Sequence, residues 1–248
     1  MEHGLPTGDA RTLELAERLE RVRERIAAAS AAAGRGLPEL IVVTKFHPAA
    51  DVARLYGLGV RQVGENRDQE ASAKAAELTA LEGLSWHFIG QLQSNKAKSV
   101  VRYATAVHSV DRGPLVAALS KAVLAEQEAR GRADLEVLLQ VNLDPEAIAA
   151  GAGGRGGALP DELPALAGQV AVAPGLRLRG LMAVAPLGAD AAEAFERLHR
   201  ISELLRREHP EAGLLSAGMS HDLEDAIACG ATHLRIGTDV LGPRPPMG

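Results

Sequence analysis

Aromatic side chains are almost missing from this sequence: one Trp, two Tyr and three Phe stand among 248 residues. Base-stacking platforms of the kind that hold single-stranded nucleic acid are therefore scarce. Cysteine occurs once, at Cys229, which rules out an internal disulfide and fits a reducing compartment. Its setting, Ala226-Ile227-Ala228 before it and Gly230 after it, reads as a small core residue near a helix end. Charge of one sign does not dominate. Lys plus Arg is 27 and Asp plus Glu is 32, a formal net charge of −5, unlike a nucleic-acid binder. No apolar run reaches the roughly 18 residues of a membrane-spanning helix. Met1 to Asp9 has neither the basic nor the apolar part of a signal peptide. HExxH, CxxC and Gly-x-Ser-x-Gly are all lacking, so no metal site and no hydrolase elbow is expected. These absences predict a cytoplasmic protein that meets neither membrane nor nucleic acid.

What is present is ordinary for a soluble globular chain, with 46% hydrophobic and 24% charged residues. The length suits two small domains or one (β/α)₈ barrel of about 250 residues. The pattern favours the barrel. Leu40 to Lys45 is a short apolar run ending on polar residues, the mark of a strand buried on both faces. Similar short runs follow at 61–66, 86–90, 106–110, 135–142, 176–183, 214–218 and 232–237. Amphipathic stretches separate them, at about 48–58, 67–82, 94–102, 114–130, 160–171 and 189–209. Ser220 is placed as the N-cap of one more. Eight strand–helix units joined by short connections predict an α/β fold, a single parallel (β/α)₈ barrel. A doubly wound open sheet is the runner-up, but no Gly-x-Gly-x-x-Gly follows the first strand. Ala10 to Ala33 is helical, with Asp9 as its N-cap and Gly34 as its stop. It precedes the first strand and is expected to cover one end or side of the barrel, its Glu/Arg face in solvent. One domain over 10–244 is expected, with tails at 1–9 and 245–248. Ala147 to Ala158, rich in glycine, reads as a flexible loop.

In such a barrel the C-terminal strand ends carry the site. They present Lys45, Glu65-Asn66, His87 with Gly90, Asn142, Met182, Ser216 to Ser220, and Arg235 to Thr238. A partly desolvated lysine has a lowered pKa and an amine free to attack a carbonyl. A lysine that merely snorkels to water is the bland alternative. Loops after strands seven and eight often bind phosphate through backbone N–H groups and hydroxyls. Ser216-Ala217-Gly218-Met219-Ser220 and Gly237-Thr238 stand there, as a phosphate cradle or as plain turns. Arg235 suits a ring nitrogen or a phosphate, or a salt bridge inside the barrel. His87 has no carboxylate assigned to it and is expected in packing or ligand contact; His108 and His233 read as structural. A lysine on strand one with a phosphate cradle on strands seven and eight describes an aldehyde with a phosphate tail. Pyridoxal 5′-phosphate (PLP) has both ends.

These motifs resemble the pyridoxal phosphate homeostasis protein family. The residues are Val43-Thr44-Lys45, Gly64-Glu65-Asn66, the stretch from Trp86 to Lys96, Arg179-Gly180-Leu181-Met182, Ser216 to Asp222, and Arg235-Ile236-Gly237-Thr238. They fall in family order, and the resemblance covers about residues 10–244. It implies a barrel similar to the N-terminal domain of bacterial alanine racemase. It further implies a PLP Schiff base on Lys45 and phosphate contacts from Ser220, Gly237 and Thr238. Arg235 would face the pyridine nitrogen, with Asn66 beside the cofactor. The full set expected at PLP adds His87, Met182, Ser216, Gly218 and Met219, with no catalytic residue. The family shows no established turnover and is held to store or deliver PLP and to balance vitamin B6 and amino-acid pools. PLP-dependent apo-enzymes are then the candidate partners, and a monomer is expected. Pro145 to Leu159 is Gly-rich where family members often carry a lysine. An amino-acid racemase or decarboxylase is the alternative. Against it, a barrel uses the whole length and leaves no room for a covering domain. A Schiff-base aldolase is a third, weaker reading, and its protein would lack the yellow of bound PLP.

Overall fold

A computed structural model describes residues 9–151 and 156–244. In chain order the elements are α1 (Ala10–Ala32), β1 (Glu39–Val43), α2 (Ala49–Gly57), β2 (Gln62–Glu65), α3 (Asp68–Glu77), β3 (Ser85–Phe88), α4 (Ala97–Val100), β4 (Ala104–Val110), α5 (Gly113–Arg130), β5 (Leu135–Gln140), α6 (Pro145–Ala150), α7 (Leu163–Val172), β6 (Leu176–Met182), α8 (Ala191–Glu208), β7 (Leu214–Ser216), α9 (Leu223–Ala228), β8 (His233–Ile236) and α10 (Thr238–Leu241). Every strand pairs in parallel with the next, and β8 returns to β1 through Ile41 opposite Arg235. The expected (β/α)₈ barrel is present, with its N-terminal helix.

The two faces of each strand explain the apolar runs. Val42, Val63, Phe88, Val137, Leu181, Leu215 and Leu234 point outward and join the helices in one hydrophobic cluster. Strand alternation turns their neighbours into the lumen. Several of those neighbours are polar and buried: His87, His108, Ser216 and Arg235.

The N-terminal helix does more than cover a side. Among the described residues β8 is followed by the four-residue α10, too short to shield the β8–β1 seam. α1 packs against α2, α9 and α10 instead, and buries Leu15, Leu19, Val22 and Ile26. It thus serves as the eighth outer helix. The side chain of Asp9 caps it by accepting from the Thr12 N–H at 2.9 Å. Its Glu/Arg face is not simply solvated, which corrects the sequence expectation. Arg11 donates to Asp51 of α2 at 2.8 Å and to the Leu241 carbonyl at 2.9 Å. The edges of that face border acidic groups from α2, α9 and α10.

Two further expectations are corrected. The stretch from Ala147 opens inside a helix, because Asp144 caps Glu146, Pro145 takes the first turn and Gly151 ends α6 at φ +61°. Ala158 at its other end is bridged to Val141; residues 152–155 lie outside the described residues. Ser220 is not an N-cap, since α9 starts only at Leu223 after Asp222. Among the described residues no helix is long and apolar enough to cross a membrane, and no cluster of His, Cys, Asp and Glu suits a metal ion.

Candidate functional site

Lys45 lies two residues past the end of β1, which stops at Val43 rather than running on to Lys45. The chain turns there: the His47 N–H bonds the Thr44 carbonyl, and Phe46 adopts φ +68°, a left-handed conformation that costs a non-glycine residue energy. A buried polar cluster holds both residues that flank Lys45. Lys74 of α3 spends its three N–H donors on Glu65 (2.7 Å), Glu70 (2.6 Å) and the Thr44 carbonyl (2.8 Å). The Thr44 hydroxyl also donates to Glu65, at 2.6 Å, and the Phe46 N–H donates to Glu70 at 2.5 Å. Arg244 stacks on the Phe46 ring, 3.5 Å from its centre. Burial pushes the Glu65 carboxyl above its ordinary range, and Lys74 opposes that rise. Lys45 itself is exposed. The partial desolvation expected of it is not supplied by the protein, because the loop lifts the residue clear of the sheet.

Asn66 follows β2 at the same end. Its Oδ1 is buried without a hydrogen-bond partner among the described residues. Gly90 is needed beside it: a Cβ there would fall 2.2 Å from the Asn66 carbonyl oxygen. A cleft of about 510 Å³ opens next to Asn66, lined among others by Glu70, Phe88 and Gln93.

On the opposite side the loop after β7 is pinned to β8. Ala217 donates to the His233 carbonyl at 3.1 Å, and Arg235 donates to the Gly218 carbonyl at 3.0 Å. Gly218 has φ +88°, and a Cβ would fall 2.6 Å from that of Ala226. The Met219 N–H is committed to Asp222 at 2.6 Å, and the Met219 side chain is exposed. Arg25 of α1 clasps this region. It donates to the Ser220 carbonyl at 2.7 Å, to Glu224 at 2.7 Å, and to Asp239 at 3.2 Å. Gly237 lies close to β1, where a Cβ would approach the Val43 carbonyl oxygen to 3.1 Å. Thr238 is exposed at the start of α10.

Arg235 closes the top of the lumen. It donates to Ser216 Oγ at 2.6 Å and to the Ala183 carbonyl at 2.7 Å, with no carboxylate bonded to it among the described residues. Burial brings its pKa down to about 10, so it stays charged at neutral pH. Met182 ends β6 beside Ser216 and is buried on the lumen side. Ser216 is fully buried and engaged with Arg235, so it belongs beneath the mouth and not in a phosphate loop.

His87 does not join this group. Its ring bonds Gln62 at the start of β2, at 2.5 Å, and it lines a cleft at the other mouth with Ser85, Arg177 and His233. The bond to Gln62 holds the ring down the lumen and away from the C-terminal end. Sequence reasoning placed Lys45, Asn66, Met182, Gly218, Met219, Ser220, Arg235, Gly237 and Thr238 at one end, and the barrel brings these together. It missed Lys74, Glu70 and Arg25. Glu70 and Lys74 stand four apart on one helix, a readable pairing; Arg25 left no such local signal.

A closed parallel barrel with Lys45 and Arg235 at one mouth belongs, by its sequence, to the class of proteins built on the alanine racemase N-terminal domain. The family model of that name, "Alanine racemase, N-terminal domain", matches residues 18–245. Within it, the chain belongs to the pyridoxal phosphate homeostasis protein family. The protein of that name from Mycobacterium tuberculosis is 46% identical, over 94% of this chain and 94% of the relative. The one from Escherichia coli is 37% identical, over 93% of this chain and 97% of the relative. Among solved structures, PipY of Synechococcus elongatus with PLP bound is 38% identical with a TM-score of 0.77. The match covers 92% of this chain and 100% of PipY.

Proposed function

We propose that this chain binds PLP through Lys45 and holds it for exchange or delivery in the cytoplasm, as part of PLP and amino-acid homeostasis, without turning over amino acids at an enzymatic rate. The observation that carries this reading is the pairing of Lys45 with Arg235. Lys45 follows β1 and Arg235 lies on the adjacent β8; one is an exposed amine, the other a buried guanidinium with no carboxylate hydrogen-bonded to it among the described residues. When bound, PLP supplies an aldehyde that condenses with an amine and a ring that withdraws electrons.

The residues present fit such a group. Arg235 is a pure donor, so a ring nitrogen against it must be an unprotonated acceptor. That weakens the electron sink on which amino-acid chemistry depends. The unpartnered Asn66 Oδ1 suits a donor at the ring's edge. Gly237, close to Val43, lets main chain approach a phosphate, and Ser220 and Thr238, in the loops after β7 and β8, offer hydroxyls to it. The exposed setting of Lys45, Met219 and Thr238 suits exchange with solvent or with an apo-enzyme more than water-excluded catalysis. The PLP-bound relative PipY supports the choice of ligand.

The experiment is to load the protein with PLP, treat it with borohydride and map the peptides. A pyridoxyl group on Lys45 is expected; label on Lys96 or Lys98 instead overturns the assignment. Incubation of the loaded protein with L-alanine and other amino acids should give neither racemisation nor decarboxylation above about 1 s⁻¹, near the bottom of the enzymatic range. A faster rate would favour the racemase or decarboxylase.

A further inference from the structure

The lumen holds a line of hydrogen-bonding side chains that runs from one mouth of the barrel to Arg235. Gln62 Oε1 meets His87 Nε2 at 2.5 Å, His87 Nδ1 meets His108 Nε2 at 2.9 Å, and His108 Nδ1 meets Ser216 Oγ at 3.0 Å. Ser216 Oγ then accepts from Arg235 at 2.6 Å. The two imidazoles cross nearly edge to face, their planes 76° apart.

The polarity of this line follows from its ends. Arg235 has only donors, so its proton enters a lone pair of Ser216. The Ser216 proton is then available to His108 Nδ1, which must be bare. A neutral imidazole carries one proton, so that of His108 sits on Nε2 and is donated to His87 Nδ1. The His87 proton therefore also sits on Nε2 and is donated to Gln62. Burial keeps both rings neutral: it pushes His87 down to about 3 and His108 well below the usual imidazole value, with His233 and Arg235 nearby adding to the effect. The reverse polarity would need another acceptor for the Ser216 proton and the amide group of Gln62 turned round.

We propose that Gln62, His87 and His108 are positioning residues for Arg235, holding Ser216 as its acceptor through one fixed run of tautomers. The proposal rests on the reading that Arg235 faces the ring nitrogen of PLP, and it deepens that reading. A carboxylate partner would cancel much of the guanidinium's field. A chain of neutral dipoles, each with its acceptor end towards Arg235, solvates the buried charge and leaves that field directed at the ligand. The protein thereby selects an unprotonated pyridine-type nitrogen at this position.

Two measurements test this. Long-range ¹H–¹⁵N spectra of the protein without PLP, recorded between about pH 5.5 and 8.5 and assigned with the His87→Phe and His108→Phe variants, read the tautomers directly. Two neutral imidazoles with the proton on Nε2, not titrating, are expected. A proton on Nδ1, or titration of either ring in this range, overturns the proposal. In the second, His108→Phe is loaded with PLP. Its affinity should fall by about tenfold or more, the effect of losing a hydrogen bond that supports a charged group, and the absorption band of bound PLP should shift. Wild-type binding with an unchanged band in the variant defeats the positioning role alone. Failure of the wild type to bind PLP defeats the proposed function, and the spectra without PLP then decide the relay by themselves.

Discussion

The ammonium of Lys74 donates to the carboxylate of Glu65 at 2.7 Å, and both side chains are buried. The second oxygen of Glu65 has no partner among the described residues, so Lys74 is its main electrostatic support. Through Thr44 and Glu70 the same ammonium fixes the main chain on both sides of Lys45.

Lys74→Ala should therefore destabilise the protein by about 3–5 kcal/mol, the usual consequence of leaving a buried charge unpaired. Urea denaturation measures it. A loss below about 1 kcal/mol would mean that the Glu65 carboxyl simply takes up a proton. In a variant that still folds, the reaction of Lys45 with PLP should slow.

Ser220→Ala combined with Thr238→Val should weaken PLP binding and leave the circular dichroism spectrum unchanged. Each lost hydrogen bond to a charged phosphate oxygen is worth about 1.5–3 kcal/mol. Pyridoxal, which lacks the phosphate, should bind the variant and the wild type alike. Equal PLP affinity in both proteins would remove these hydroxyls from the site.

Arg25→Met tests the clasp on the same loops. Arg25 and its partners are partly exposed, so the stability change should be about 1 kcal/mol or less. PLP affinity should nonetheless drop several-fold, as the loop at Ser220 and the turn at Asp239 lose their shared anchor. Titration followed by absorbance would show it, and an unchanged dissociation constant would reduce Arg25 to a surface ion pair.

Acid should unfold the protein early. Burial holds His87 at about 3 and His233 at about 4, and it lowers His108 and His47 as well. Below the ordinary imidazole value of 6.5 the unfolded chain binds more protons than the folded one, so stability falls as the pH falls towards the folded values. Each such histidine removes about 1.4 kcal/mol per pH unit. The urea midpoint should drop between about pH 7 and pH 5; a flat midpoint would show that these rings are not buried neutral.

The fold was largely legible from the sequence because each strand of this barrel is sealed between lumen and helices and so reads as a short apolar run. Its limits were less so. β1 ends before the polar residues that the eye adds to it, since the turn at Phe46 is set by Glu70 and Lys74 of α3. Of the site, the residues next to strand ends could be placed, because the parallel topology sends them all to one mouth. His87 was misplaced: position in a strand does not say whether a long ring leans up or down the lumen, and here its bond to Gln62 decides. Arg25 and His108 act across separations of more than a hundred residues, to Ser220 and Ser216. No local pattern encodes such pairs.

The use of α1 as the eighth outer helix has a consequence for how the molecule comes into being. The β1–β8 pairing joins segments about 190 residues apart, and nothing shields that seam until the first helix finds the last loops. Contacts of such long sequence separation form late in folding. A nascent chain on the ribosome therefore carries an exposed amphipathic helix through nearly all of its synthesis. The loop at Ser220 and the turn at Thr238 gain their common anchor, Arg25, only when that helix docks. Closure of the barrel and the fixing of these two loops are then a single event.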